Sequence, residues 1–317
     1  MSQQTSFLGM GCLTKMTRAD RFLDEMNRVV PWAELEAVVA PHYGQKEATG
    51  RPATPLRLLL KLHCLQLWYN LSDPGLEDAV HDRLSFQRFL ELDPLAAKVP
   101  DETTVLHFRH LLEKHQLAEA IFARVREHLE AQGLLLKTGT LVDATILNAP
   151  RNLRNEGKGR DPEMGSTQKA GVWHFGLKAH IGVDVKSGLV HSVRATSAKV
   201  HDSQLLTELT HGHEEVIGGD SGYANEHLKT LCRQAGVCYL ITDKAHRNRP
   251  MSGKQQQRNR HKTSVRGKVE FPFRIIKHLW GHLRVRYRGL AKNAARLHVL
   301  FALSNLYQAR RQLLALA

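Results

Sequence analysis

The chain has 317 residues, of which 42% are hydrophobic, which is enough for a sizeable core in one large or two modest domains. Its most apolar stretch, residues 56–68, is interrupted by charged residues and is too short to span a bilayer. The net charge of +14 favours a polyanionic partner, with nucleic acid ahead of an anionic membrane surface.

The positive charge is concentrated near the C-terminus. Residues 244–311 contain 18 Lys or Arg and a single acidic residue, Glu270, whereas the rest of the chain contains 27 Lys or Arg and 30 Asp or Glu. This lone carboxylate is either a stray residue in a solvated basic tail or a functional group that the cations surround.

The N-terminus and the cysteines indicate where the protein acts. The first ten residues lack the basic start and apolar run of a signal peptide. The four cysteines form no CxxC pair and are typical of reduced thiols. We therefore expect a cytoplasmic protein without a membrane partner.

The first 132 residues are predicted to be helical. Asp73-Pro74 and Pro100-Asp101 are typical helix starts, with a capping side chain next to a proline. A series of short helices fits a DNA-binding region of helix-turn-helix type, and it fits a plain helical bundle equally well. The helices are expected at residues 19–30, 55–71, 73–90, 102–115 and 117–132, with a linker at 46–53. On the candidate recognition helix, the side chains that could face DNA are those of Thr103, His107, Arg109 and His110.

From about Leu134 the pattern changes to strands alternating with helices. Strands are expected at 138–147, 173–185, 189–195, 215–219 and 237–242, and helices at 202–211 and 226–234. Loops are expected at 148–168 and 248–263, followed by a helical segment from 269 to 314 with breaks at Gly281 and Gly289. This order predicts an α/β fold with a mixed sheet flanked by helices, as in RNase H-like nucleases.

Three acidic residues stand where a metal-dependent phosphodiester chemistry would need them. Asp143 lies within the first strand, Asp220 follows a short apolar strand, and Glu270 begins a helix whose first turn contains Pro272. Two Mg²⁺ ions can stabilise the attacking and leaving oxygens of a phosphate, and carboxylates are their preferred protein ligands.

Each acid also has a structural interpretation. Asp143 could be an edge-strand acid facing water, Asp220 a turn or capping residue, and Glu270 the partner of a nearby arginine. Asp202 could be only a helix cap, and Asp184 a turn residue. The sequence leaves these interpretations open one by one, and the three acids gain weight only as a set.

The sequence around these acids resembles the transposases of the insertion-sequence-five group. The matching blocks are VDATI around Asp143, GDSGY around Asp220, and the series Arg266, Glu270 and Lys277. The segments VPDETTVLHFRHLLEKHQL and VRYRGLAKN are also similar, so the resemblance covers roughly residues 40–310. The family's third block is Y-x2-R-x3-E-x6-K, and Thr263 stands at its tyrosine position here.

The resemblance implies a DDE transposase with an RNase H-like catalytic domain at residues 133–317 and a DNA-binding helical domain at residues 1–132. Asp143, Asp220 and Glu270 would be the catalytic and metal-binding residues, holding two Mg²⁺ ions or Mn²⁺ in their place. The implied partners are the terminal inverted repeats of the element, target DNA and a second copy of the chain, at the bacterial nucleoid.

The basic residues near these acids are candidate DNA contacts. The resemblance assigns Arg266 and Lys277 to DNA near the cleavage site. Arg284, Arg286 and Arg288 alternate with other residues and could form a track for the DNA backbone or a solvated basic strand. Rival functions are an RNase H-like nuclease that does not join strands, a non-catalytic DNA-binding protein, and a membrane-surface binder.

Overall fold

The computed structural model describes residues 15–44, 53–93, 99–150, 159–169, 171–243 and 251–316. Of the predicted linker, residues 46–52 lie outside these ranges, as does the first part of the predicted loop at 248–263.

Seven helices form the N-terminal region of the described chain. They are α1 Arg18–Val29, α2 Trp32–Val39, α3 Leu56–Trp68, α4 Asp73–Asp82, α5 Leu84–Leu90, α6 Glu102–Lys114 and α7 Leu117–Ala131. Capping side chains start several of them, since Thr17, Ser72 and Asp101 each accept a hydrogen bond from a backbone N–H of the first turn. The prediction of a single helix at 73–90 is wrong, because Arg83 has an extended backbone and divides α4 from α5.

Six strands form one mixed sheet. They are β1 Gly139–Asn148, β2 Gly165–Lys169, β3 Val172–Asp184, β4 Val190–Ser197, β5 Val216–Gly219 and β6 Cys238–Ile241. β1 lies at the centre, antiparallel to β3 on one side and parallel to β5 on the other, and β6 pairs with β5 in parallel. β3 also pairs with β2 and β4, both antiparallel.

The prediction of an uninterrupted loop at 148–168 is wrong at its end, where β2 forms a hairpin with β3. The five residues of β2 are mostly polar and exposed, so they lack the apolar alternation that indicates a strand. The turn between β3 and β4 is as predicted. Asp184 accepts hydrogen bonds from the backbone and side chain of Ser187, and Gly188 has a positive φ of 74°.

Five further helices complete the fold. They are α8 Leu206–Leu209, α9 Glu226–Gln234, α10 Gly253–Arg266, α11 Glu270–Arg274 and α12 Leu290–Leu316, with a π-helical turn at Ile275–Leu279. The prediction of a loop through residue 263 is wrong, because α10 begins at Gly253. Ser252 and Gln255 form a capping box that starts this helix without any apolar periodicity.

The long helix α12 joins the two halves of the molecule. It packs against α1 and α7 on one side and against β4 on the other. Buried Asn305 donates to the carbonyl of Val190 and accepts from its N–H, at 2.7 and 2.8 Å, so the edge of β4 is hydrogen-bonded to the helix. One hydrophobic core therefore runs from the N-terminal helices to the sheet.

The sheet order and the flanking helices confirm the predicted fold. The chain has an RNase H-like mixed α/β region preceded by an all-helical region. The carboxyl ends of β1 and β5 point to the same edge of the sheet, which is where open α/β sheets bind their ligands.

Candidate active site

The fold brings Asp143 and Asp220 together. β1 and β5 pair in parallel as far as Leu141 and Gly218, and the same register, continued by two residues, sets Asp143 beside Asp220. Neighbouring strands lie about 4.8 Å apart. A Cβ atom added at Gly218 would lie only 2.6 Å from the side chain of Leu141, so glycine permits this close approach just before Asp220.

Asp143 is a largely buried acid on the central strand, so the interpretation as an edge-strand acid facing water is wrong. Burial raises its pKa to about 6. A hydrogen bond from the N–H of Ala144, at 2.8 Å, and the positive charge of Arg266 oppose that rise, whereas the negative charge of Asp220 adds to it. The two acids and Arg266 are therefore electrostatically coupled.

Asp220 also caps the turn that follows it. Its Oδ1 accepts a hydrogen bond of 2.8 Å from the N–H of Gly222 at the start of a 3-10 turn, Ser221–Tyr223. Tyr223 is fully buried against β5 and anchors this turn. This hydrogen bond fixes the orientation of the Asp220 carboxylate. Asp220 is thus a capping residue, as its structural interpretation predicted, and it can still serve in the site.

Glu270 stands apart from this pair. It follows Arg266 by one helical turn and is exposed in a cleft of about 550 Å³ that is also lined by Thr145, two residues after Asp143 on β1. Within the described chain no group of three or more His, Cys, Asp or Glu is close enough to hold a metal ion. Asp143 and Asp220 thus lie on adjacent strands, and the three acids together do not form a metal-ligand cluster in this structure.

Lys277 lies on the same cleft, in the π-helical turn. Its Nζ donates a 2.7 Å hydrogen bond to the carbonyl of Ile146 on β1, which ties the helix of Glu270 to the strand of Asp143. Burial lowers the pKa of Lys277, with a smaller effect from Lys169. Lys169 also acts on the pKa of Asp143, so the β2 hairpin adds a cation that the sequence did not indicate.

The three alternating arginines come soon after the cleft-lining residues in sequence. Arg284, Arg286 and Arg288 are exposed, whereas Val285 and Tyr287 between them are half-buried. The segment lies between the π-helical turn and α12, and Arg284 forms an isolated parallel bridge with Asn148 at the end of β1. The arginines thus leave the sheet close to the end of β1 and present their side chains to solvent.

On α6 the structure corrects one candidate for DNA contact. Thr103, His107 and His110 are exposed. Arg109 faces inward, where its guanidinium forms a 2.8 Å ion pair with Asp73 and lies 4.5 Å from the ring centre of Tyr287. This residue joins the helical region to the C-terminal segment.

The proposed cap Asp202 has another role. His201 caps a 3-10 turn at Asp202–Leu205, and Asp202 instead pairs with Lys178 at 2.9 Å. The ring Nδ1 of buried His180 lies 3.9 Å from the same carboxylate. This pair belongs to the opposite face of the sheet from Asp143, because Lys178 and His180 alternate with Ile181, the partner of Asp143.

The donors fit a divalent cation at the sheet edge. Each of the two aspartates uses its Oδ1 to accept a backbone N–H, and hard carboxylate oxygens are the ligands that Mg²⁺ and Mn²⁺ take. Their mutual repulsion is a cost that bound positive charge would relieve. Two carboxylates are in place for such an ion, and Glu270 is the third candidate.

A mixed sheet of this order, with one aspartate within its central strand and another just after the adjacent parallel strand, defines an RNase H-like protein. Residues 135–306 match the family model described as transposase DDE domain, and residues 12–111 match the model described as transposase domain (DUF772). The chain therefore belongs to the DDE transposase family. No solved structure matches it. Within the described residues no helix has the length and apolar character needed to cross a membrane.

Proposed function

We propose that this transposase cuts DNA at the ends of an insertion element and joins the freed ends to target DNA, with Asp143, Asp220 and Glu270 as its catalytic residues. The observation that supports this most is the register that sets Asp143 beside Asp220. Membership of the DDE family supports the type of reaction.

Asp143 and Asp220 would hold divalent ions, Mg²⁺ or Mn²⁺, and Glu270 would complete the ligand set from the cleft. Two such ions, when bound, supply a nucleophile at neutral pH and neutralise the charge that develops on the phosphate. A fixed backbone hydrogen bond directs each of Asp143 and Asp220. In the proposed site these two bonds would hold the carboxylates in place before DNA binds.

Cationic side chains would place the scissile phosphate. Arg266 acts electrostatically on Asp143, and Lys277 is bonded to the strand of Asp143. Both are suited to bind phosphate oxygens next to the aspartates, and Lys277 serves as a point charge. Arg284, Arg286 and Arg288 would hold the DNA backbone beyond the cleft.

The remaining parts of the proposal concern organisation. Residues 1–132 would recognise the terminal inverted repeats, and residues 133–317 would carry the chemistry on element and target DNA. Two copies of the chain would pair the two element ends, and the enzyme would act at the bacterial nucleoid. Membership of the insertion-sequence-five group is part of the same proposal, supported by the quoted sequence blocks.

The test compares Asp143→Asn, Asp220→Asn and Glu270→Gln with Glu226→Gln, a control at an exposed acid on α9. The first three are expected to abolish Mg²⁺-dependent cleavage of an element end and to keep DNA binding, whereas the control keeps both. Retained cleavage in any of the three removes that residue from the site. A pre-cut end supplied with a target duplex separates the functions, because a nuclease gives no joined product.

A further inference from the structure

The helix α10 presents a row of cations that leads to the active site. Lys254, Arg258, Lys262 and Arg266 are spaced four residues apart and so form one ridge of the helix. Gly267, which follows the last of them, lines the cleft that contains Thr145 and Glu270. Arg266 itself lowers the pKa of Asp143. With a rise of 1.5 Å per residue, the ridge is about 18 Å long.

A cleft of about 900 Å³ lies beside this ridge. Leu240 of β6 lines one wall. The other wall is α10 together with its capping residue, and it is formed by Ser252, Lys254, Gln255, Gln257, Arg258, His261 and Lys262. Lys254, Arg258 and His261 are exposed, and α10 contains no acidic residue. Among the described residues, the ion pair on this helix is between Lys262 and Asp243, at 3.5 Å. The cleft is therefore strongly positive.

α10 is held by its N-terminal capping box and by polar contacts with the end of β6 rather than by a buried face. None of its residues is buried, and it has no acid for stabilising pairs along its surface. Asn259 and Lys262 attach it to β6 through bonds to Asp243 and to the carbonyl of Ile241. The exposed surface of α10 is therefore cationic and free of acidic residues, which suits it to a polyanionic ligand.

We propose that the basic cleft between β6 and α10 holds the phosphate backbone of the DNA strand that runs to the active site. The length of the ridge matches about five nucleotides at 3.4 Å per nucleotide. Lys254 and Arg258 contact phosphates farthest from the cut, and Arg266 contacts the phosphate beside Asp143. The inference rests on the proposed function, because it takes the site at Asp143 as the place of cleavage.

The test neutralises two cations of the cleft in the full chain. Lys254→Gln with Arg258→Gln is compared with Lys229→Gln with Arg233→Gln, which makes the same charge change on the neighbouring helix α9. Binding to a linear DNA duplex is measured in EDTA over a series of salt concentrations. Each lost phosphate contact lowers the slope of log affinity against log salt by about 0.9.

The cleft variant is expected to lower the slope by about 1.8 and to weaken binding at least about tenfold at roughly 0.1 M salt. The control is expected to leave the slope unchanged. An equal effect of the two double variants, or none from the cleft variant, overturns the proposal. The proposal is also overturned if the cleft variant loses binding to phosphatidylserine vesicles but keeps its affinity for DNA, because the cleft would then bind a membrane surface.

A second readout is hydrogen exchange of the α10 amides. DNA is expected to slow their exchange in the wild-type protein and not in the cleft variant, and unchanged exchange contradicts the proposal. Neither readout needs catalysis, so Asp143→Asn should give the wild-type slope. If Asp143→Asn still cleaves DNA, the proposed function fails while the result for the cleft stands by itself.

Discussion

Replacing Asp143 by Asn is expected to stabilise the protein at neutral pH. Burial moves the pKa of this carboxyl from 3.8 to about 6, so keeping it ionised costs the folded state about 3 kcal/mol. Below about pH 4 the carboxyl is protonated in both the folded and the unfolded state, and the cost is absent. Between about pH 4 and 6 Asp143 ionises in the unfolded chain before it does in the folded one, so the cost grows, and above about pH 6 it is complete. Asparagine removes the charge and can still accept the hydrogen bond from Ala144.

The assay is urea unfolding in EDTA at pH 4 and at pH 7.5. Asp143→Asn should be more stable than the wild type by about 1 to 3 kcal/mol at the higher pH and equal to it at the lower pH. Asp24→Asn, at an exposed position on α1, is the control and should change neither value. A variant that is less stable at pH 7.5, or equally shifted at both pH values, refutes the reasoning.

Three further substitutions test contacts that hold the site and the fold. Lys277→Met should reduce single-turnover cleavage of an element end at least about tenfold while the circular dichroism spectrum is kept, because the cation beside β1 is lost; full activity would contradict its role. Arg109→Lys should lower the free energy of unfolding by about 1 to 2 kcal/mol, since lysine cannot reproduce the stacking on Tyr287; an unchanged urea midpoint would show that the contact contributes little. Asn305→Leu should lower the same free energy by about 2 to 4 kcal/mol, because both backbone groups of Val190 lose their partner, and no loss would exclude that account.

The sheet was predictable from sequence where its strands are apolar. β1, β3, β4, β5 and β6 all have alternating or continuous apolar residues, and the structure places them within a few residues of the predicted bounds. β2 was missed because it is a polar hairpin partner of β3 and buries little of its own. Its pairing depends on β3, which no local pattern reveals.

Two helix errors have different causes. α10 lacks apolar residues at helical spacing, but its start carries a capping box, Ser252 and Gln255, which was available in the sequence as a signal. No proline or glycine near Arg83 indicates a helix break in the sequence. The break is visible only in the structure, where Arg83 has an extended backbone between α4 and α5.

The site was predictable in part. The order of elements was enough to expect Asp143 within the first strand and Asp220 at the end of a later one, and the pairing of Leu141 with Gly218 brings the two aspartates to adjacent strands. The position of Glu270 depends on how a helix distant in sequence meets the sheet. Asp143 and Asp220 already repel each other, so a third carboxylate beside them is unfavourable unless positive charge is added. The exposed position of Glu270 is consistent with this. Arg109 was placed on the outer face of α6 because its partners Asp73 and Tyr287 are remote in sequence.

The most direct measurement is a crystal structure of the full chain bound to an element end and Mn²⁺, with the ions located by anomalous scattering. We predict Mn²⁺ between Asp143 and Asp220, with an oxygen of Glu270 coordinated to one of the ions. Anomalous peaks away from the two aspartates, or a Glu270 that remains outside bonding distance in the DNA complex, would contradict it.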